Sequence, residues 1–211
     1  MSLSINPFIL GMLETNTYLV ADTETLEAAV IDPAANSQRV LDEINRKNLR
    51  LSQIWITHAH FDHTDGVPLC TSSRHPSVPV YLHPADMGLY ESGGGAADFG
   101  FRSKILPVPD VLLEDGQILR LGKSAIKVLH TPGHSPGHVV FYAAEDGVAF
   151  CGDLIFKMAV GRADFRGGNY EHLLESIHTR ILTLPPATRL LPGHGPETTV
   201  AYEAEMNPFL K

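Results

Sequence analysis

The sequence predicts an α/β layered fold, with two sheets back to back and helices on the outside. Three observations carry that expectation. Short β-rich runs come in pairs joined by turn-forming segments, and in each half of the chain such runs lead to a helical stripe. The 211 residues, 44% hydrophobic and 19% charged, suit one ordinary globular core, so a single domain over 1–211 is expected.

In chain order, the first strands are 8–13 and 17–21, split by Glu14-Thr15-Asn16. Residues 28–31 form the next, stopped by Asp32-Pro33. Asn36-Ser37 offers a helix N-cap, and Val40, Leu41 and Ile44 share a helical stripe that ends near Asn48. Residues 53–57 are again β-rich. The middle segment 91–101 contains Gly93-Gly94-Gly95 without periodicity and reads as a mobile loop. In the second half, strands 117–121 and 126–129 flank the turn Gly122-Lys123-Ser124. Strands 139–142 and 148–151 flank Glu145-Asp146-Gly147. Leu173, Ile177 and Ile181 lie four apart, which predicts an amphipathic helix over 170–182 behind an Asn169 cap, and 189–191 is a last short strand.

Composition narrows the function. A net charge of −8 disfavours a nucleic-acid surface, which needs clustered Lys and Arg. Cys70 and Cys151 are too few for a disulfide framework and form no CxxC pair. No stretch approaches the roughly 18 apolar residues of a membrane span, and the first residues lack a basic segment followed by an apolar one. No nucleic acid and no membrane is therefore the expectation, with a cytoplasmic location as the default.

The chemistry lies in the histidines. His58, His60, Asp62 and His63 form an HxHxDH cluster just past the 53–57 strand. Imidazole suits zinc-like ions and a carboxylate adds a hard anionic oxygen, so a turn that aims these side chains apart can serve two adjacent metals. His134, Asp153 and His194 have the same character: each follows a glycine, with a strand ending upstream. Seven ligand-type residues exceed what one tetrahedral ion uses. Of the other histidines, His75, His83, His172 and His178 read as surface or helix residues. His130 and His138 flank the His134 loop as neighbours of ligands at most.

THAHFDH, HTPGHSPGH, CGDLIF and PGHG resemble the metallo-β-lactamase superfamily, closest to its glyoxalase II (hydroxyacylglutathione hydrolase) branch, over nearly the whole chain. The resemblance implies a four-layer αβ/βα sandwich with the metals at one edge between the sheets. It implies His58, His60 and His134 on one ion, Asp62, His63 and His194 on a second, and Asp153 bridging both. Zinc is the first expectation for the two divalent ions, and iron and manganese accept the same ligands. The implied reaction is hydrolysis of a small-molecule thioester such as a hydroxyacylglutathione by dimetal-activated water, with Asp62 and Asp153 as the catalytic carboxylates. The GRADF element brings Arg162, with Lys157 and Arg166 beside it, as substrate-binding residues; the competing reading pairs Arg162 with Asp164. Glyoxalase II proper has a helical C-terminal extension that helps to hold glutathione, whereas here 17 residues follow His194 and include Glu197, Glu203 and Glu205. A mononuclear iron persulfide dioxygenase, using His58, His134 and Asp153, and a non-glutathione ester or thioester hydrolase are the alternatives. β-Lactam hydrolysis is disfavoured by Asp62 and GRADF.

Overall fold

The chain first lays down β1 (Leu3–Leu10), β2 (Thr15–Asp22) and β3 (Glu27–Ile31) as an antiparallel meander. Helix α1 (Gln38–Arg46) then carries it over to β4 (Arg50–Trp55), which runs parallel to β3. Two short helices, α2 (Phe61–Thr64) and α3 (Val67–Ser72), precede β5 (Val80–Leu82). After α4 (Met87–Glu91), β6 (Val111–Leu112) completes a sheet in the order β1-β2-β3-β4-β5-β6. The second sheet is built from β7 (Ile118–Leu121), β8 (Ser124–His130), β9 (Val139–Ala143) and β10 (Val148–Gly152). A small ribbon, β11 (Ile155–Phe156) with β12 (Ala159–Val160), precedes α5 (Tyr170–Ser176), β13 (Arg189–Pro192), β14 (Thr198–Thr199) and α6 (Val200–Met206). Its order is β14-β13-β10-β9-β8-β7, with β13 parallel to β10 across the α5 crossover. The computed structural model describes residues 3–72, 78–102 and 104–211; the expectation for His75 falls outside them.

Strand alternation creates the layers, because successive side chains point to opposite faces. On β2, Tyr18 and Val20 enter one apolar cluster while Leu19 and Ala21 enter another. The first of these clusters is made by facing strands of both sheets, Trp55, Phe141 and Phe150 among them, and lies between the sheets. The second takes Val40, Leu41 and Ile44 from α1 and Cys70 from α3. A third packs Leu173, Ile177 and Ile181 on the far face of the second sheet, against Val140 and Ala149. Three apolar zones separating helix, sheet, sheet and helix make the αβ/βα sandwich.

The structure also departs from the sequence reading. β1 begins at Leu3 rather than residue 8; as an edge strand it stays half exposed and tolerates Pro7. Ser37 sits at the N-cap of α1, but its hydroxyl donates to the Ala34 carbonyl instead of capping the helix. Asn169 does cap α5, accepting from the His172 amide at 3.0 Å. Residues 177–181 widen into a π-turn, closed by Leu182 N–H on the Ile177 carbonyl at 2.9 Å. Segment 91–101 is not an irregular loop. It completes α4 and adds a 3₁₀ turn at Ala96–Phe99, and Phe61 N–H donates to the Gly94 carbonyl at 3.0 Å.

Candidate metal centre

Four strand ends converge on one edge of the sandwich. The segment after β4 delivers His58, His60, Asp62 and His63; those after β8, β10 and β13 deliver His134, Asp153 and His194. His134 Nε2 lies 3.2 Å from His58 Nε2 and 2.8 Å from His60 Nδ1. Asp62 Oδ2 lies 3.2 Å from His194 Nε2 and 3.4 Å from His63 Nε2. Within each of these two triads the ligand atoms are all less than 4.8 Å apart. Asp153 stands between them: Oδ1 is 3.4 Å from His63 Nε2, and Oδ2 is 3.6 Å from both His134 Nε2 and His194 Nε2. The structure thus brings together all seven residues singled out from sequence, in the two groupings the resemblance implies.

Hydrogen bonding tests whether cations fit. The Arg162 carbonyl accepts from His134 Nδ1 at 2.6 Å, and the Asp32 carboxylate accepts from His63 Nδ1 at 2.9 Å. Thr57 spends its only proton on Asp32 at 2.6 Å, so its oxygen accepts from His58 Nδ1 at 3.0 Å. His58 and His134 therefore keep their protons on Nδ1 and turn bare Nε2 lone pairs inward. At His63, by contrast, burial is overcome by the carboxylates of Asp62, Asp153 and Asp32, which raise its pKa and mark its Nε2 side as a place for positive charge. Buried His63 Nε2 and Asp153 Oδ1 have no hydrogen-bond partner. Lone pairs and carboxylate oxygens pointed at one another repel unless a cation lies among them, so this donor set fits metal ions.

The surroundings set the electrostatics. Burial and neighbouring imidazoles hold His58 well below the usual imidazole range, in the neutral form that binds metal. Burial opposes ionisation of Asp153, yet the surrounding histidines outweigh it and hold its carboxyl well below the carboxylate range. For His194, burial is likewise overcome by Asp62 and Asp153, which raise its pKa.

Sequence reasoning missed the residues that hold the ligands in place. Asp32, at the end of β3 with φ 50°, accepts Thr57 N–H at 2.7 Å besides its bonds to Thr57 Oγ1 and His63. Asp86 is fully buried and accepts from Ala59 N at 2.9 Å, Ser135 Oγ at 2.7 Å and Gly137 N at 2.6 Å, which locks the HxHxDH segment to the His134 loop. Asn16 Nδ2 grips the Pro192 and Gly195 carbonyls at 3.0 and 2.8 Å, fixing the His194 loop to the start of β2. The positive φ of Asp32, just before Pro33, is a conformation that Asp tolerates, but it shows only in the structure. Gly193 packs so tightly on Asp153 that a Cβ there would collide with its carboxylate, which explains the glycine before His194.

A cavity of about 350 Å³ opens on His60, Asp62, His134, Asp153 and His194. Arg162 and Arg166 line it, but Lys157 does not: its ammonium lies 5.5 Å from the Tyr202 ring, which corrects the expected substrate role. Arg162 is paired to Asp164 through bonds of 2.9 and 2.8 Å and lies 4.2 Å from the Phe165 ring. His138 is buried deeper than expected, with its ring 5.3 Å from that of His58. His83 and His130 stack at 4.1 Å, away from the cavity lining. Among the described residues no helix is long and apolar enough to cross a membrane.

Comparison with known proteins agrees with this geometry. The family model of the metallo-beta-lactamase superfamily matches residues 10–194. Hydroxyacylglutathione hydrolase GloC of Haemophilus influenzae is 36% identical over 200 residues, covering 93% of either chain. The crystal structure of BLEG-1 B3 metallo-beta-lactamase superposes with a TM-score of 0.90 at 36% identity, over 99% of this chain and 100% of that one. That of TTHA1623 in a di-iron-bound form gives 0.88 at 42% identity, over 97% and 100%. The chain belongs to the metallo-beta-lactamase superfamily and is a metal-dependent hydrolase of that family.

Proposed function

We propose that this member of the metallo-beta-lactamase superfamily hydrolyses small-molecule thioesters, as a glyoxalase II type enzyme working with two divalent ions. The observation that carries the reading is Asp153 set between two complete triads, at the floor of a cavity large enough for a substrate. The likeness to GloC supports the thioester class. Bound there, two ions would supply a nucleophilic water ionised near neutral pH and a sink for charge developing on the attacked carbonyl.

The chain's own residues do the rest. His58, His60 and His134 would hold one ion, Asp62, His63 and His194 the other, and Asp153 both. Asp62 accepts from Thr15 Oγ1 at 3.0 Å, which fixes its plane, and its carboxylate can orient the attacking water by accepting a proton in a hydrogen bond. A thiolate leaves without strong acid assistance, since a free thiol has a pKa of about 8.5. Accordingly the floor needs no general acid beside the ligands.

The test combines metal content per chain with hydrolysis of S-lactoylglutathione and of a β-lactam, on protein loaded in turn with zinc, iron or manganese. Two ions per chain and faster turnover of the thioester are expected, with zinc as the proposed metal and iron its direct competitor given the di-iron neighbour. One ion per chain, or preference for the β-lactam, would defeat the reading.

A further inference from the structure

The substrate's acyl side can be read from the cavity wall. Phe61, Phe99 and Phe165 form a connected aromatic face, with ring centroids 5.5 Å apart for Phe61–Phe99 and 5.9 Å for Phe99–Phe165. That face begins at the ligands, because Phe165 lies 5.2 Å from the His60 ring and 6.0 Å from that of His134. Phe156 sits 6.1 Å from His194, and Leu13 and Leu89 complete the apolar lining. Phe99 is 44% exposed and Leu13 38%, so much of this apolar wall is wet.

The polar groups are distributed differently. Apart from the metal ligands, the polar side chains of the lining are Asp98, Arg162 and Arg166, all exposed residues. None of them is a buried donor or acceptor set for a hydroxyl on the acyl chain. Arg162 already spends its fork on Asp164, and Arg166 makes no ion pair among the described residues. An apolar group that displaces water from three phenylalanines gains on the order of 0.8 kcal/mol per methylene buried, or about fourfold in affinity.

We infer that the site takes thioesters of apolar acyl groups, a medium-length alkanoyl or an arylalkanoyl chain, in preference to small hydroxyacyl groups. This rests on the thioester reading above and refines its substrate class. The acyl chain lies along Phe165, Phe99 and Phe61 with its carbonyl at the ligands, while the thiol carrier leaves past Arg166.

Two series on the metal-loaded enzyme test this. In the first, kcat/KM is measured for N-acetylcysteamine thioesters from acetyl to octanoyl, with lactoyl as the polar comparison. The expected result is a rise of about threefold to fourfold per added methylene until the cavity is filled, with lactoyl near acetyl. In the second, calorimetry gives Kd for straight-chain carboxylates from acetate to octanoate, and the same slope is expected without any turnover. Phe99→Ala should flatten both slopes, whereas Ile118→Ala, on an exposed strand position outside the cavity, should flatten neither. Thioesters hydrolysed with a flat or falling slope would overturn the apolar acyl group and leave the thioesterase standing. Carboxylate binding that tightens with length, without hydrolysis of any thioester, would overturn the thioesterase and retain the apolar subsite. A flat carboxylate series would overturn the subsite.

Discussion

Asp32 lies outside the lining of the site cavity, yet it fixes the proton on His63 Nδ1 and, through Thr57, on His58 Nδ1, so one carboxylate orients a ligand of each triad. Loss of such an orienting partner costs about 10- to 100-fold in metal affinity in comparable sites. Asp32→Ala should therefore weaken binding of both metals, by up to that factor for the second, whose ligand His63 it contacts directly, as read by competition with a chelator, while protein at saturating metal recovers most turnover. Asp153→Ala should differ in kind: hydrolysis is lost even at saturating metal and no more than one ion stays bound, with far-UV circular dichroism unchanged. The arginines separate in the same way. Arg162 is exposed and already paired, so Arg162→Ala should change kcat/KM for an anionic thioester by less than about fivefold. Arg166→Ala should cost roughly 10- to 100-fold for that substrate and little for a neutral one, as loss of a charge-assisted contact does. Equal losses for both substrates would mean that Arg166 supports the shape of the site.

Among the elements, those long enough to show a period were legible. β2 alternates between two cores, α1 sets Val40, Leu41 and Ile44 on one face, and α5 with its π-turn buries Leu173, Ile177 and Ile181. Asn169 starts that helix with a side-chain bond to His172 N–H, so Asn169→Ala should cost about 1 kcal/mol in urea unfolding. A loss below about 0.3 kcal/mol would show that the contact with Gly133, which accepts from Asn169 N–H and packs on Leu173, defines the helix start instead. The stretch from α2 to β6 was illegible for a physical reason. Its helices and strands are too short to show a period, and tertiary contacts fix them, such as Phe61 N–H on Gly94 and Asp86 on three donors from two loops. The site behaved in the opposite way. Its candidate ligands announce themselves by residue type, and the structure gathers all seven at one edge, whereas Asp32 and Asp86 act through partners distant in sequence and left no local pattern. Lys157 misled because nearness in sequence to Asp153 did not bring its side chain to the cavity.

The two sheets are joined across one edge by Asp22. From the end of β2 its carboxylate accepts from Glu24 N and Thr25 N at 3.0 and 2.9 Å, and then reaches the β7–β8 turn of the other sheet. There it accepts from Lys123 N and Ser124 N, both at 3.1 Å, and from Ser124 Oγ at 2.9 Å. Burial works against the charge, but these donors outweigh it and hold the Asp22 carboxyl well below the usual carboxylate range. The sign of the linkage follows from that depression. Stability from Asp22 is fully present above the unfolded pKa of about 3.9 and is lost as pH falls toward the lower folded value. Asp22→Asn should thus cost about 1–3 kcal/mol at pH 7, because a neutral amide cannot satisfy the same set of donors. The difference between variant and wild type should shrink steadily as the pH is taken below about 4, measured by urea unfolding at each pH. Hydrolytic activity at pH 7 and low denaturant should be unchanged, since Asp22 lies outside the cavity lining. A cost that stays constant down to pH 2 would show that shape rather than charge at Asp22 ties the sheets together.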